Sequence, residues 1–218
     1  FQDLWASGTP LIVTGLDRQF QLPWSPQYFI DHFGSQVCEI VDCGTDETQR
    51  STVKEFFLGF SKDPDSVVDC MKLKVLHKLS EPTLSDTSQD WPPSATFQTT
   101  FPSLHEDFIR AVPFADYTRP DGCHNLAAHF PLNALRSDLG PKMYNAYADK
   151  TRQGTTVLHL DAADAINILL YATPFANGLP GGALWHIFAA RDTPALRCYL
   201  RESTGHEDVG DPIHSQSL

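Results

Sequence analysis

Residues 140–172 read GPKMYNAYADKTRQGTTVLHLDAADAINILLYA and carry most of the information on the fold. This stretch and the segment after it contain successive short runs rich in β-branched, aromatic and aliphatic residues, at 142–148, 155–161, 165–173 and 183–190. Short runs of this kind, with turn residues such as the PGG at 180–182 between them, are typical of strands in an antiparallel sandwich or barrel. The second half of the chain is therefore predicted to be mainly β.

The run 155–161 contains a His-Leu-Asp triplet. On a strand, side chains two positions apart project from the same face, so His159 and Asp161 would lie side by side with Leu160 turned the other way. A histidine and a carboxylate in this arrangement form two corners of the facial triad that binds Fe(II) and leaves positions open for substrate. A structural His–Asp pair is the alternative, because short motifs often match by chance.

The first 131 residues have a different character, since short helices and strands alternate there, and we place a boundary between regions 1–131 and 132–218. PLIVTG at 10–15 and VCEIVDC at 37–43 have the composition of strands. Ser25 followed by Pro26 predicts the start of a helix, and the Gly at position 34 predicts its end.

Two capping boxes and one loop are also visible in the sequence. Thr52 with Glu55, and Ser103 with Glu106, have the spacing at which a hydroxyl and a carboxylate satisfy backbone N–H groups at a helix start. Residues 78–96 are rich in Ser, Thr, Pro and Asp, which predicts a loop.

A last helix is predicted to begin at Thr193-Pro194 and to end at Gly205. Its spacing of apolar residues would turn three side chains inward, those of Leu196, Tyr199 and Leu200.

The composition limits the class of protein. The chain has 218 residues with 16 Lys and Arg against 27 Asp and Glu, a net charge of -11, which argues against direct nucleic-acid binding. No apolar run approaches the roughly 20 residues that cross a bilayer. Five cysteines are scattered without a C-x-x-C pair, so we expect free thiols in an intracellular protein and neither a disulfide framework nor a zinc site.

Several segments resemble the JmjC-domain histone lysine demethylases, and most closely the branch that acts on methylated lysine nine of the histone-3 tail. They are DWPP at 90–93, ADYTRPDGCHNLAAHFP at 115–131, the stretch 140–172, GALWHIFAARDT at 182–193 and DPIHSQS at 211–217. The likeness is collinear and covers most of the chain. It implies an α+β fold that is mainly β, a double-stranded β-helix of the cupin-like jelly-roll type preceded by helices and strands.

The resemblance also implies a chemistry and a set of site residues. Such enzymes use Fe(II) and the cosubstrate 2-oxoglutarate to hydroxylate an N-methyl group, which then leaves as formaldehyde. By position, His159 and Asp161 are iron ligands. The candidates for binding 2-oxoglutarate are Thr156, Asn167, Tyr147 and Lys142. Asn167 could equally satisfy a neighbouring backbone group, and a solvated lysine is the alternative for Lys142.

The family's third iron ligand lies on a later strand, and the sequence stops at Leu218 without a matching histidine. We therefore expect an incomplete β-helix, weak iron binding and little or no demethylation by this chain alone. Two alternatives remain open. One is a JmjC hydroxylase that leaves a stable hydroxyl on a protein side chain, and the other is a non-catalytic JmjC fragment that acts in chromatin interaction.

The resemblance, together with the composition, suggests partners and a location. We expect a histone-tail peptide and chromatin-associated proteins as partners, no direct contact with nucleic acid or membrane from this segment, and a location in the nucleus. A homodimer is left open.

Overall fold

The computed structural model describes residues 1–61, 70–74, 97–131, 133, 139–149, 154, 156, 158–161, 163–204 and 210–213. The chain forms two compact units. The first contains Phe1–Pro23 and Pro92–Lys142, and the second contains Trp24–Trp91 and Met143–Leu218. The boundary at residue 131 was drawn from sequence character and stays a prediction. The loop expected at 78–96 lies outside the described residues.

The described elements are short, and most precede residue 120. In chain order they are α1 (Gln2–Ala6), α2 (Pro26–Phe33), β1 (Val37–Asp42), β2 (Thr48–Thr52), α3 (Val53–Leu58), β3 (Met71–Lys74), α4 (Phe97–Thr100), α5 (Pro102–Ala111), α6 (Ala115–Thr118) and α7 (Thr193–Thr204). Single 3-10 turns occupy Gly59–Ser61, Leu126–His129 and Ala190–Asp192. In the parts of the chain that the structure describes, no helix is long and apolar enough to span a membrane.

A buried carboxylate organises the first unit. Asp107 on α5 is 4% exposed, and its carboxylate accepts hydrogen bonds from the backbone N–H groups of Gln21, at 2.8 Å, and Leu22, at 3.1 Å. Arg110 forms an ion pair with Asp107 and donates to the carbonyl of Gln19 at 2.6 Å. These hydrogen bonds hold residues 19–22 against α5. A buried carboxylate needs such partners because burying it without them costs free energy.

The capping box expected at Ser103 and Glu106 is wrong. Helix α5 begins one residue earlier, at Pro102, and Phe101 occupies the N-cap position without a side-chain cap. Proline is well suited to the first helical position, because its φ is fixed near the helical value and it lacks the N–H that would need a partner there. Ser103 therefore lies inside the helix and is not its cap.

The second unit contains a three-stranded antiparallel sheet in the order β2-β1-β3. The predicted strand at 37–43 is confirmed as β1, whose alternate residues Cys38 and Ile40 are buried. The side chains of α2 and α3 that pack in the core of this unit are mainly aromatic, namely Phe29, Phe56 and Phe57. The rings of Phe29 and Phe57 stack with centroids 4.9 Å apart, which joins the two helices.

The helix starts predicted in this unit are confirmed. The Ser25 hydroxyl accepts the N–H of Tyr28 at 3.3 Å at the beginning of α2. Thr52 and Glu55 form both hydrogen bonds of a capping box at the beginning of α3. These caps join residues that are three positions apart in the chain, which is why the sequence alone predicts them.

The second half of the chain differs from the prediction. None of the described residues in the runs 10–15, 155–161, 165–173 and 183–190 belongs to a strand, and 142–148 is represented by one isolated bridge between Ala146 and Lys72. A strand needs a hydrogen-bonded partner and a face to bury. Ile12 at 93% exposure and Leu184 at 84% have no such face. The described residues therefore show helices and a small antiparallel sheet, and they do not show a jelly roll.

The turn expected at 180–182 lies slightly earlier. Phe175 donates its N–H to the carbonyl of Leu179 at 2.9 Å, and Gly178 donates to the carbonyl of Phe175 at 2.8 Å. Gly178 adopts a φ of 79°, which a residue without a Cβ tolerates.

The last helix is confirmed as α7, its predicted end at Gly205 lies outside the described residues, and its burial is partly as predicted. Leu200 is buried, whereas Tyr199 is 61% exposed, so the expectation that Tyr199 faces inward is wrong. The guanidinium of Arg197 binds both carboxylate oxygens of Asp211, at 2.8 and 2.7 Å, and Ile213 beyond it is buried. These contacts join α7 to the segment that follows it.

Candidate metal centre

His159 and Asp161 are neighbours in a part of the second unit that belongs to no described helix or strand. Their Nε2 and Oδ1 atoms lie 3.4 Å apart, and the side chains are 41% and 60% exposed. The proximity of the two side chains is the one that the sequence predicts, but the strand on which that prediction depended is not described. The pair is accessible to a ligand.

The separation of these two atoms allows them to bind one metal ion. Ligands bonded at about 2.1 Å to one octahedral or tetrahedral ion lie about 3.0 to 3.4 Å apart. An imidazole nitrogen and a carboxylate oxygen are also the donor types of the 2-His-1-carboxylate Fe(II) site. Among the described residues, however, there is no group of three His, Cys, Asp or Glu side chains that could hold a metal. His159 and Asp161 therefore fit two of the three protein-ligand positions of such a site.

Two of the cosubstrate candidates, Thr156 and Asn167, lie in the same unit as the pair and are exposed. Asn167 lies within an apolar run, so its amide is expected from the sequence to be buried and to need a protein partner. In the structure its side chain can be hydrated, so burial gives no reason for a specific partner. Whether these two residues contact a cosubstrate stays a prediction.

Tyr147 has a well-defined environment in the second unit. Its hydroxyl donates to the carbonyl of Phe56 at 2.7 Å, and its ring stacks on that of Phe56 at 4.8 Å between centroids. Burial, followed by the nearby Cys38 thiolate charge, raises the pKa of Tyr147 to about 12, so the hydroxyl is a neutral donor. A Cβ at Gly59 would overlap the Tyr147 ring, so the glycine makes room for this contact. The tyrosine is thus engaged in packing.

Lys142 is exposed and belongs to the first unit, whereas His159 and Asp161 belong to the second. The structure therefore brings together His159 and Asp161, and it engages Tyr147 with the aromatic core.

Sequence reasoning missed one chemically significant pair. Cys43 and Cys70 lie opposite each other where β1 ends and β3 begins. The signal for β3 was present, because MKLK at 71–74 alternates apolar and polar residues as a half-buried strand does. Its register against β1 could not be derived from the sequence.

Comparison with known proteins assigns the chain to a class. No protein-family model matches it. All of the chain aligns at 35% identity over 256 residues with human lysine-specific demethylase 3A, and at 31% with lysine-specific demethylase 3 of Drosophila melanogaster. It aligns at 29% with the human probable JmjC domain-containing histone demethylation protein 2C. The chain spans 19%, 29% and 10% of these three proteins.

Over its whole length, the chain is homologous to a part of proteins that are named as JmjC histone lysine demethylases. The recognition made from the sequence is therefore confirmed. Within the family, the relatives with the higher identities are lysine-specific demethylases 3A, from mammals, birds and amphibians.

Proposed function

We propose that this chain carries part of the active site of an Fe(II)- and 2-oxoglutarate-dependent dioxygenase that removes methyl groups from a histone lysine. Lysine nine of histone 3 is the substrate we favour, on the resemblance of the chain to that branch of the family. The observation that supports the proposal most directly is the His159–Asp161 pair, with Nε2 and Oδ1 3.4 Å apart, in a chain homologous to demethylases.

In this proposal, His159 and Asp161 supply two ligands to Fe(II). When bound, iron would activate dioxygen, the oxidant that converts 2-oxoglutarate to succinate and carbon dioxide and hydroxylates the N-methyl group, and the hydroxylated product releases formaldehyde. The imidazole must be neutral to bind, and the carboxylate of Asp161 offsets one positive charge of the ion. Because both side chains are more than 40% exposed, a peptide and a cosubstrate can reach the pair from solvent.

The cosubstrate would be held by groups that match its two carboxylates. In the second unit, the Asn167 amide and the Thr156 hydroxyl are exposed donors. Lys142 is an exposed donor of the first unit and is kept as a candidate on the resemblance alone. Tyr147 could contribute only by giving up its 2.7 Å hydrogen bond to the carbonyl of Phe56, which makes it the least available of the four candidates. We therefore rank Tyr147 last.

A second candidate function is non-catalytic binding in chromatin. The observation in its favour is that the described residues provide no three-ligand group. Two protein ligands hold Fe(II) less securely than three, so we propose weak iron binding and little or no demethylation by the 218-residue chain alone.

The experiment is a coupled assay of the purified chain with Fe(II), 2-oxoglutarate and a histone-3 peptide dimethylated at lysine nine. Succinate and formaldehyde are both measured, for the wild type, for Asp161→Ala and for the control Asp164→Ala. The proposal expects little or no formaldehyde, and any iron-dependent succinate must disappear in Asp161→Ala but persist in Asp164→Ala. Succinate that persists in Asp161→Ala would contradict the assignment of the iron site, and abundant formaldehyde would contradict the two-ligand argument.

Partners and location follow the same proposal. The histone tail is basic, and the net charge of -11 on this chain favours its approach through long-range attraction. We propose a nuclear protein whose partners are the histone tail and chromatin-associated proteins. A homodimer remains a prediction that sedimentation of the purified chain would test.

A further inference from the structure

Cys43 and Cys70 face each other across the sheet of the second unit. The β1–β3 register pairs Asp42 with Met71, so the next opposed pair is Cys43 and Cys70. The backbone N–H of Cys43 donates to the carbonyl of Cys70 at 2.8 Å, which continues the antiparallel pairing by one residue.

The two thiols lie on the same face of the sheet. Directly opposed residues in an antiparallel pair project together, with Cβ atoms about 4.5 to 5.5 Å apart. The two thiols lie close enough for each to influence the ionisation of the other, and the Cys70 Sγ donates to the carbonyl of Tyr147 at 3.6 Å. Both side chains are partly buried, whereas Cys38 is fully buried and Cys123 and Cys198 are exposed.

We propose that Cys43 and Cys70 form a redox-sensitive dithiol that a small-molecule disulfide oxidises reversibly to a cross-strand disulfide. Hydrogen-bonded opposed residues have Cα atoms about 5.5 Å apart, within the 4.4 to 6.8 Å that disulfides span. The Cβ separation typical of opposed strand residues, about 4.5 to 5.5 Å, exceeds the usual disulfide value of about 3.8 Å, so closure is expected to draw the strands together. A disulfide closed in this way is reduced more easily than a relaxed one.

The reaction is two successive thiol–disulfide exchanges. The thiolate of Cys43 attacks one sulfur of the oxidant, forming a mixed disulfide and releasing one small thiol. The thiolate of Cys70 then attacks the Cys43 sulfur and releases the second small thiol. Two protein thiols are oxidised to one disulfide, and one molecule of the disulfide oxidant is reduced to two thiols, with the protons passing to solvent and product.

Cys43 is the better attacking group of the two. Burial raises the pKa of both thiols, that of Cys70 to about 12, and the charge of Cys43 contributes to the rise at Cys70. At Cys43, the positive charge of Lys72 lowers the pKa and is the largest effect that opposes burial. Because both thiols are protonated at neutral pH, the exchange is slow, and oxidation must be measured at equilibrium rather than after a brief exposure.

Oxidation has a structural consequence beyond the two cysteines. The disulfide removes the S–H group that Cys70 donates to the carbonyl of Tyr147, and it ties the end of β1 to the start of β3. Residues 145–147 run beside β3, since Leu73 donates to Asn145 and Tyr147 donates to Met71, each at 3.0 Å. The state of the two thiols therefore affects the segment leading toward His159.

The test uses the full chain with Cys123→Ser and Cys198→Ser, which removes the two exposed thiols and leaves Cys38, Cys43 and Cys70. The metal-free protein is brought to equilibrium in buffers of oxidised and reduced glutathione, quenched with acid, and alkylated after denaturation. In oxidising buffer we expect one alkylated thiol and, in a portion whose mass is measured before alkylation, an intact mass lower by about 2 Da. Dithiothreitol should restore three alkylated thiols.

A stability measurement distinguishes this pair from any other. The closed loop should raise the unfolding midpoint of the oxidised form by about 5 to 10 °C. Adding Cys43→Ser or Cys70→Ser should abolish both the mass change and the shift. Three alkylated thiols in every buffer, a disulfide that includes Cys38, or an unresolved mixed disulfide with glutathione would overturn the proposal. None of these results depends on iron or on demethylation.

Discussion

Replacing Gly59 with alanine should destabilise the second unit, although the backbone there has helical angles that alanine normally prefers. Gly59 is buried at a φ of -60° and a ψ of -29°. A Cβ at this position would overlap the hydroxyl and Cζ of Tyr147 and would lie 2.8 Å from its Cε1. The Tyr147 ring is held by its stack on Phe56 and by its hydrogen bond to that residue's carbonyl, so it has little freedom to retreat.

The magnitude follows from two opposing terms. At compatible angles, Gly→Ala stabilises a protein by about 0.4 to 1 kcal/mol by restricting the unfolded chain. Overpacking costs about 1 to 3 kcal/mol, and losing the Tyr147 hydroxyl bond adds about 1 kcal/mol. We therefore expect Gly59→Ala to lower the free energy of unfolding by about 1 to 3.5 kcal/mol. In a Tyr147→Ala background the same change should stabilise by about 0.4 to 1 kcal/mol, which gives a coupling of about 2 to 4 kcal/mol.

Equilibrium urea unfolding of the four proteins in this cycle, followed by circular dichroism, measures the coupling. The reasoning is refuted if Gly59→Ala stabilises the wild type as much as it stabilises Tyr147→Ala. The milder Tyr147→Phe variant also separates packing from cosubstrate binding. If packing is the role of Tyr147, this variant loses about 1 kcal/mol of stability and keeps its affinity for 2-oxoglutarate.

Three further changes test the fold. Thr52→Ala should lower the free energy of unfolding by about 1 kcal/mol because it removes a capping box, whereas Ser103→Ala should change it by less than about 0.5 kcal/mol, as urea midpoints will show. Asp107→Ala should lower the free energy of unfolding by about 2 to 4 kcal/mol, because two backbone N–H groups and Arg110 lose their acceptor. Asp107→Asn, which keeps one acceptor oxygen, should lower it by less. Burial lowers the pKa of His105 in the folded protein, so as the pH falls the histidine is protonated in the unfolded chain before it is protonated in the folded one. The free energy of unfolding should therefore decrease as the pH drops through 6.5. In the same urea assay, His105→Gln should reduce this pH dependence.

The elements that sequence predicted well depend on interactions within a few residues. The helix starts at Ser25 and Thr52 depend on a side-chain oxygen and a nearby backbone N–H. The start of α7 at Thr193 is signalled by the proline that follows it. The capping box predicted at Ser103 is wrong because Pro102 also signals a helix start, one residue earlier. The sequence does not show which of the two residues begins the helix, and the structure places the start at Pro102.

The strands of the second half failed for a different reason. Composition shows that a run such as 165–173 can form a strand, but it does not provide the neighbour with which that run must pair. Apart from 142–148, which forms one bridge to β3, the described residues of these runs belong to no strand, and many of their large apolar side chains are exposed. Among the site residues, His159 and Asp161 could be paired from the sequence because two-residue alternation is local. The Tyr147 contact with Phe56 spans 91 residues, and no sequence pattern encodes it.

The proposed metal centre requires that His159 and Asp161 bind one divalent metal ion. Mn(II) titration followed by electron paramagnetic resonance measures this directly, with Mn(II) as a redox-inactive probe for the Fe(II) site. We predict that His159→Ala and Asp161→Ala each lower Mn(II) affinity by at least about tenfold, while the exposed controls Asp164→Ala and His186→Ala leave it unchanged. Equal Mn(II) affinity in the wild type and in both ligand variants would show that these two residues do not bind the ion.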